Sequence, residues 1–152
     1  MLPVLPLNES VMLLLLALSY RVKVRMGDEA EVTPGSQLPD LAIAVEPMPD
    51  DGPVLIQVEY RIDPADEQGF LEAIHHIEPI RRRNGANDWR VFRDLGEEGR
   101  YVERFIIGSW AEYVRLRSRL TLNDQQAQER VEAFLKPGED IHVTRLISTR
   151  TY

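Results

Sequence analysis

A chain of 152 residues with 43% apolar content suffices for one packed domain and an appendage. Cysteine is absent, which excludes disulfides, a thiolate nucleophile and a zinc–sulfur site. The formal charge of −7 is local: Asp28, Glu29, Glu31, Asp40, Glu46, Asp50 and Asp51 lie in a stretch without Lys or Arg, and the other 18 acids balance 18 basic residues, so no nucleic-acid surface is indicated.

Residues 1–26 begin with a Pro-punctuated apolar run, and Val11–Leu18 is the most hydrophobic piece of the chain. This run is far shorter than the ~20 residues of a membrane-spanning helix. Arg21, Lys23 and Arg25 follow the apolar core rather than precede it, the wrong order for a secretory signal. Two readings stay open: the cytoplasmic end of a membrane helix with its positive flank, or a docked apolar segment followed by a charged edge strand. Residues 27–52 show no period and contain Pro34, Pro39, Pro47 and Pro49, the marks of a semi-extended acidic linker.

The folded domain is expected over residues 53–152. From Pro53 to Pro64, Val54, Ile56, Val58, Tyr60 and Ile62 alternate with Gln57, Glu59 and Arg61, the period of a half-buried strand. Tyr60 therefore reads as packing beneath helices. Asp63 can cap a helix that has Pro64 at its first position. That helix should run to about Arg83 on a face of Phe70, Leu71, Ile74, Ile77 and Ile80, be kinked or ended by Pro79, and close at Asn84-Gly85.

Asp88–Arg93 and Arg100–Gly108 form an expected hairpin around the turn at 94–99. Ser109-Trp-Ala-Glu112 predicts a capping box and a second helix with Trp110, Tyr113, Val114 and Leu120 inward. It should break near Thr121–Asp124, resume with Ala127, Val131, Phe134 and Leu135, and stop at Pro137-Gly138 before a last strand, Ile141–Ile147. The order βαββαβ is that of an α+β, ferredoxin-like fold, a four-stranded antiparallel sheet with both helices on one face. Phe92, Tyr101, Phe105 and Ile107 are assigned to the uncovered face, where a second copy would pack.

Few residues suggest chemistry. His75 and His76 are adjacent and diverge on a helix, and with only His142 besides, no metal site is expected. Arg81, Arg82 and Arg83 suit the C-terminal end of a helix dipole; a phosphate or anionic lipid headgroup is the second reading. Tyr60, Trp89, Trp110 and Tyr113 are candidates for lining a pocket between sheet and helices. Glu59 and Glu103 are read as partners of nearby Arg residues, and no catalytic triad, phosphate loop or catalytic carboxylate pair can be assembled.

The segments Val58–Asp66, Arg81–Ala86, Trp89 with Phe92 and Asp94, Gly99–Phe105 and Ser109–Glu112 together resemble the cytoplasmic C-terminal domain of a branch of major facilitator superfamily exporters, the transmembrane secretion effectors related to the enterobactin exporter. The likeness covers about Gly52 to Ile147, and the linker and Leu-rich start resemble the last membrane helix and its exit. It implies a dimeric α/β-barrel module similar to antibiotic-biosynthesis monooxygenases. Relatives tend to carry histidines after Ser-Trp-x-Glu, where this chain has Tyr113, Leu116 and Arg117.

The resemblance implies a non-catalytic regulatory or oligomerisation domain, without cofactor, at the cytoplasmic face of the inner membrane. Its expected partners are a second copy and the membrane-embedded transporter portion. The alternative is a small monooxygenase acting on an aromatic or haem-like substrate. No histidine lies between Trp110 and Leu135 to serve such an enzyme.

Overall fold

The computed structural model describes residues 43–149. The readings for residues 1–26, and for the linker up to residue 42, lie outside the described residues. Four strands, β1 (Val54–Arg61), β2 (Asn87–Arg93), β3 (Arg100–Ile107) and β4 (His142–Ile147), form one antiparallel sheet in the order β2-β3-β1-β4. Helices α1 (Glu67–His75) and α2 (Glu78–Arg83) lie between β1 and β2 in the chain, and α3 (Trp110–Arg119) and α4 (Leu122–Glu132) between β3 and β4. This is the expected α+β, ferredoxin-like arrangement. Among the described residues no helix is long and apolar enough to cross a membrane.

The opening strand is built as its alternation predicts. Val54, Ile56, Val58 and Tyr60 are buried, and β1 holds the sheet centre between β3 and β4. Asp63 then caps a single 3-10 turn, Pro64–Asp66, by accepting from the Ala65 N–H at 3.0 Å. Gly99, at φ +80°, admits the neighbouring backbone because it has no Cβ: one built there would stand 2.3 Å from the Ile62 carbonyl oxygen.

Pro79 interrupts the first helix as expected, and the break falls before it, at His76 and Ile77. A proline lacks the N–H that an uninterrupted helix would donate to residue 75, and its ring would press on that carbonyl. The apolar face nevertheless continues, with Phe70, Ile74 and Ile77 buried. Asn84 closes α2, donating its N–H to the Ile80 carbonyl, and Gly85 follows at φ +97°.

In the second helical pair Trp110, Tyr113 and Leu116 point inward, whereas Val114 is half exposed, against expectation. One residue beyond Tyr113 means a rotation of ~100° about the helix axis, which carries Val114 off the buried stripe.

The faces of β3 require a larger correction. Tyr101, Phe105 and Ile107, expected on the uncovered face, are buried beneath the helices: the Tyr101 hydroxyl meets Glu67 of α1, and its ring lies 5.0 Å from that of Phe70. Phe92 alone of that set is on the open face, paired with Val102. The open face carries Leu55, Val102, Ile106, Phe92 and Leu146 among charged and polar residues such as Glu59, Arg100 and Arg104.

The residues just before β1 are docked on the start of α3. The carbonyls of Pro49 and Asp51 accept from Ala111 and Trp110, two first-turn N–H groups of α3, at 3.0 and 2.7 Å. Ser109 supplies the side-chain cap, accepting from the Glu112 N–H.

Candidate functional site

Period 2 along β3 brings Glu103 to the covered face, opposite Val58 of β1 and Val91 of β2. A charged carboxylate there, fully buried, must be met by donors on every side. Arg81 of α2 reaches it twice, Nε to Oε1 at 2.8 Å and Nη2 to Oε2 at 3.2 Å. Trp89 of β2 donates its indole N–H to Oε1 at 2.8 Å, and Tyr60 of β1 donates its hydroxyl to Oε2 at 2.9 Å.

Gln128 of α4 completes the cluster. Its carbonyl accepts from Arg81 at 2.8 Å, and its amide donates to the Tyr60 oxygen at 3.3 Å and to Glu132 at 2.9 Å. The guanidinium also lies 5.3 Å from the centre of the Phe105 ring. Three strands and two helices are thus joined through one ion pair.

The electrostatics follow from this closure. Burial alone would push the Glu103 carboxyl up, but the Arg81 charge and the hydrogen bonds from Arg81, Trp89 and Tyr60 hold it below its ordinary value. Burial, with the Glu103 charge beside it, pushes the Tyr60 phenol well above its ordinary value, so Tyr60 stays protonated. A protonated phenol that already donates to a carboxylate is a structural donor rather than a base.

Beside this cluster, between α3, α4 and the sheet, is a cavity of about 210 Å³. Its apolar wall includes Ile56, Phe105, Leu116, Leu120, Ile141 and Val143. Polar side chains meet it at Arg81, Asn84, Gln125, Gln128 and Arg145. Arg145 on β4 donates from Nε to the Tyr113 hydroxyl at 2.5 Å. Asn84 is buried, and its amide nitrogen has no hydrogen-bond partner among the described residues.

The four aromatic residues expected around one pocket are divided. Tyr113 lines the cavity; Trp110 stacks on Tyr113 with ring centres 5.3 Å apart; Tyr60 and Trp89 meet instead at Glu103. The three arginines are divided as well. Arg81 turns inward to Glu103, Arg82 pairs with Glu78 at 2.7 Å, and Arg83 reaches the buried Asp124 at 2.6 Å. His75 and His76 are both exposed, each with Nδ1 2.6 Å from the carbonyl one turn earlier. Among the described residues no cluster with metal-ligand geometry occurs.

Sequence reading paired Glu103 with an arginine in general terms but missed the convergence on it, and missed Asn84, Gln128 and Arg145 at the cavity. Arg145 was the most accessible of these. It stands at an inward position of β4, between Val143 and Ile147, where period 2 leads one to expect an apolar side chain.

Solved structures share this fold at low identity. A protein from Caulobacter crescentus, assigned as an antibiotic biosynthesis monooxygenase, superimposes with a TM-score of 0.56 at 14% identity, over 67% of this chain and 94% of its own. SnoaB, a cofactor-independent oxygenase from Streptomyces nogalater, gives 0.51 at 12%, over 64% and 94%. No curated protein matches the chain in sequence. The sequence profile of the transmembrane secretion effectors matches residues 4–152, nearly the entire length, and the chain belongs to that family.

Proposed function

We propose that this chain is a non-catalytic regulatory and oligomerisation domain of a major facilitator superfamily efflux transporter. In this reading residues 1–26 are the end of a membrane helix or a docked apolar segment, residues 27–52 the linker, and residues 53–152 the folded domain at the cytoplasmic face of the inner membrane. Its partners are the membrane-embedded portion of the transporter and a second copy, packed against the open face of the sheet. Membership of the transmembrane secretion effectors supports the transporter context.

The observation that carries the non-catalytic part is the closure of Glu103. Its carboxylate is committed to Arg81, Trp89 and Tyr60, is fully buried, and is not among the residues that line the cavity. A general base must reach the proton it removes, and this one is enclosed by its own donors. Such an arrangement fixes helices on a sheet.

The second reading, a small monooxygenase acting on an aromatic or haem-like substrate, is favoured by the names of the solved structures that share the fold. Oxygen uptake with hydroquinone-type substrates and absorbance titration with haem separate the two. The regulatory reading predicts uptake no faster than in buffer and an unaltered haem spectrum; turnover proportional to protein concentration would overturn it.

A further inference from the structure

We propose that the cavity between α3, α4 and the sheet binds a small aromatic carboxylate, held at Arg145. This goes beyond the transporter reading and stands or falls independently of it. The walls favour an apolar, flat body: Phe105, Leu116, Leu120, Ile141 and Val143 surround a space of about 210 Å³. That is smaller than the ~300 Å³ at which drug-sized pockets begin, so one ring or two fused rings is the suitable size.

The polar groups of the lining determine the head group. Arg81 is neutralised by Glu103, and Asp124 by Arg83. Glu129 and Glu132, on the α4 side, take hydrogen bonds from Gln125 and Gln128. Arg145 differs: among the described residues it meets no carboxylate within ion-pair distance, and its one hydrogen-bond partner is the Tyr113 hydroxyl.

A half-buried guanidinium whose terminal nitrogens are uncommitted among the described residues is a two-pronged donor, and a carboxylate has the matching geometry. Asn84 adds a second, independent observation. More than nine-tenths buried and part of the same lining, it has an amide nitrogen without a partner among the described residues, a donor in the cavity wall additional to Arg145. With the carboxylate at β4, the ring lies against Leu116 and Leu120, and the charge is kept toward Arg145 rather than toward the α4 acids.

The test is isothermal titration of the full chain with 1-naphthoate and with its uncharged counterpart, 1-naphthamide. The expected result is saturable binding of one naphthoate per chain, about tenfold tighter than the amide, as a charge-assisted pair should give. Arg145→Gln should abolish that preference while the amide binds as before, showing the cavity intact; an Arg82→Gln control should retain it.

Binding of neither compound, equal affinity of the two for the unaltered chain, or a preference that survives Arg145→Gln would each overturn the proposal. Loss of both compounds by a variant with an unchanged melting curve would overturn the role of Arg145. If Arg145→Gln does not fold, the comparison of acid with amide on the unaltered chain decides alone.

Discussion

Glu103 and Arg81 pose the question of what a buried ion pair contributes. Desolvation of the two charges offsets most of their attraction, so the pair is weak evidence for net stability, but removing one member leaves the other uncompensated. Glu103→Gln should therefore cost ~3–5 kcal/mol in urea denaturation at neutral pH. The same variant tests the titration. Because the folded carboxyl is held below its ordinary value, its contribution is fully present above the unfolded value of ~4.3 and is lost as pH falls through the lower folded value. The stability curves of the unaltered chain and of Glu103→Gln should accordingly converge in acid, and parallel curves would show that Glu103 is not the linked group. Part of this residue scale was legible in advance: an acid on a strand needs a cation, and Arg81 was available. The convergence of Tyr60 and Trp89 on Glu103, with Gln128 behind Arg81 and Tyr60, was not legible, because these residues come from elements whose relative placement only the tertiary fold determines.

At the scale of elements, the break between α3 and α4 shows how a local signal is read for less than it contains. The sequence indicates an interruption near Thr121–Asp124, and the structure shows a complete capping box at that point. Thr121 accepts from the Asp124 N–H at 3.3 Å, and Asp124 accepts in return from the Thr121 N–H at 3.0 Å. Asp124 also holds Arg83 from α2, so it ties the second helical pair to the first. Thr121→Ala should cost ~1 kcal/mol, the usual value of an N-cap. Asp124→Ala should cost clearly more, because it removes both the return half of the capping box and the partner of Arg83; equal losses would mean that the ion pair contributes nothing. Ser109-Trp-Ala-Glu112 gives the converse lesson, since only its forward half, Ser109 to the Glu112 N–H, is found.

The face assignment of β3 failed for a physical reason. Its covered residues, Tyr101, Glu103, Phe105 and Ile107, include a charge, while its open residues include Val102 and Ile106, so hydrophobic alternation separates the two faces only weakly. β1, with Gln57, Glu59 and Arg61 all on one side, carries no such ambiguity, and its face was legible.

For the whole molecule, Pro49 and Asp51 fasten the residues just before β1 to the start of α3. Their carbonyls accept from the first turn of α3, the helix whose following turns present Tyr113 and Leu116 to the cavity. On the other side of the sheet, Leu55 stands between Ile106 and Leu146, an apolar row flanked by the pairs Arg100–Glu59 and Arg104–Asp88. An apolar strip with charged flanks suits a second copy related by two-fold symmetry. Sedimentation of the full chain in a density-matched mild detergent, with and without Ile106→Asp, tests this assembly most directly. The account predicts a dimer for the unaltered chain and a folded monomer for Ile106→Asp; a monomer for the unaltered chain at high concentration, or a dimer that Ile106→Asp leaves intact, would contradict it.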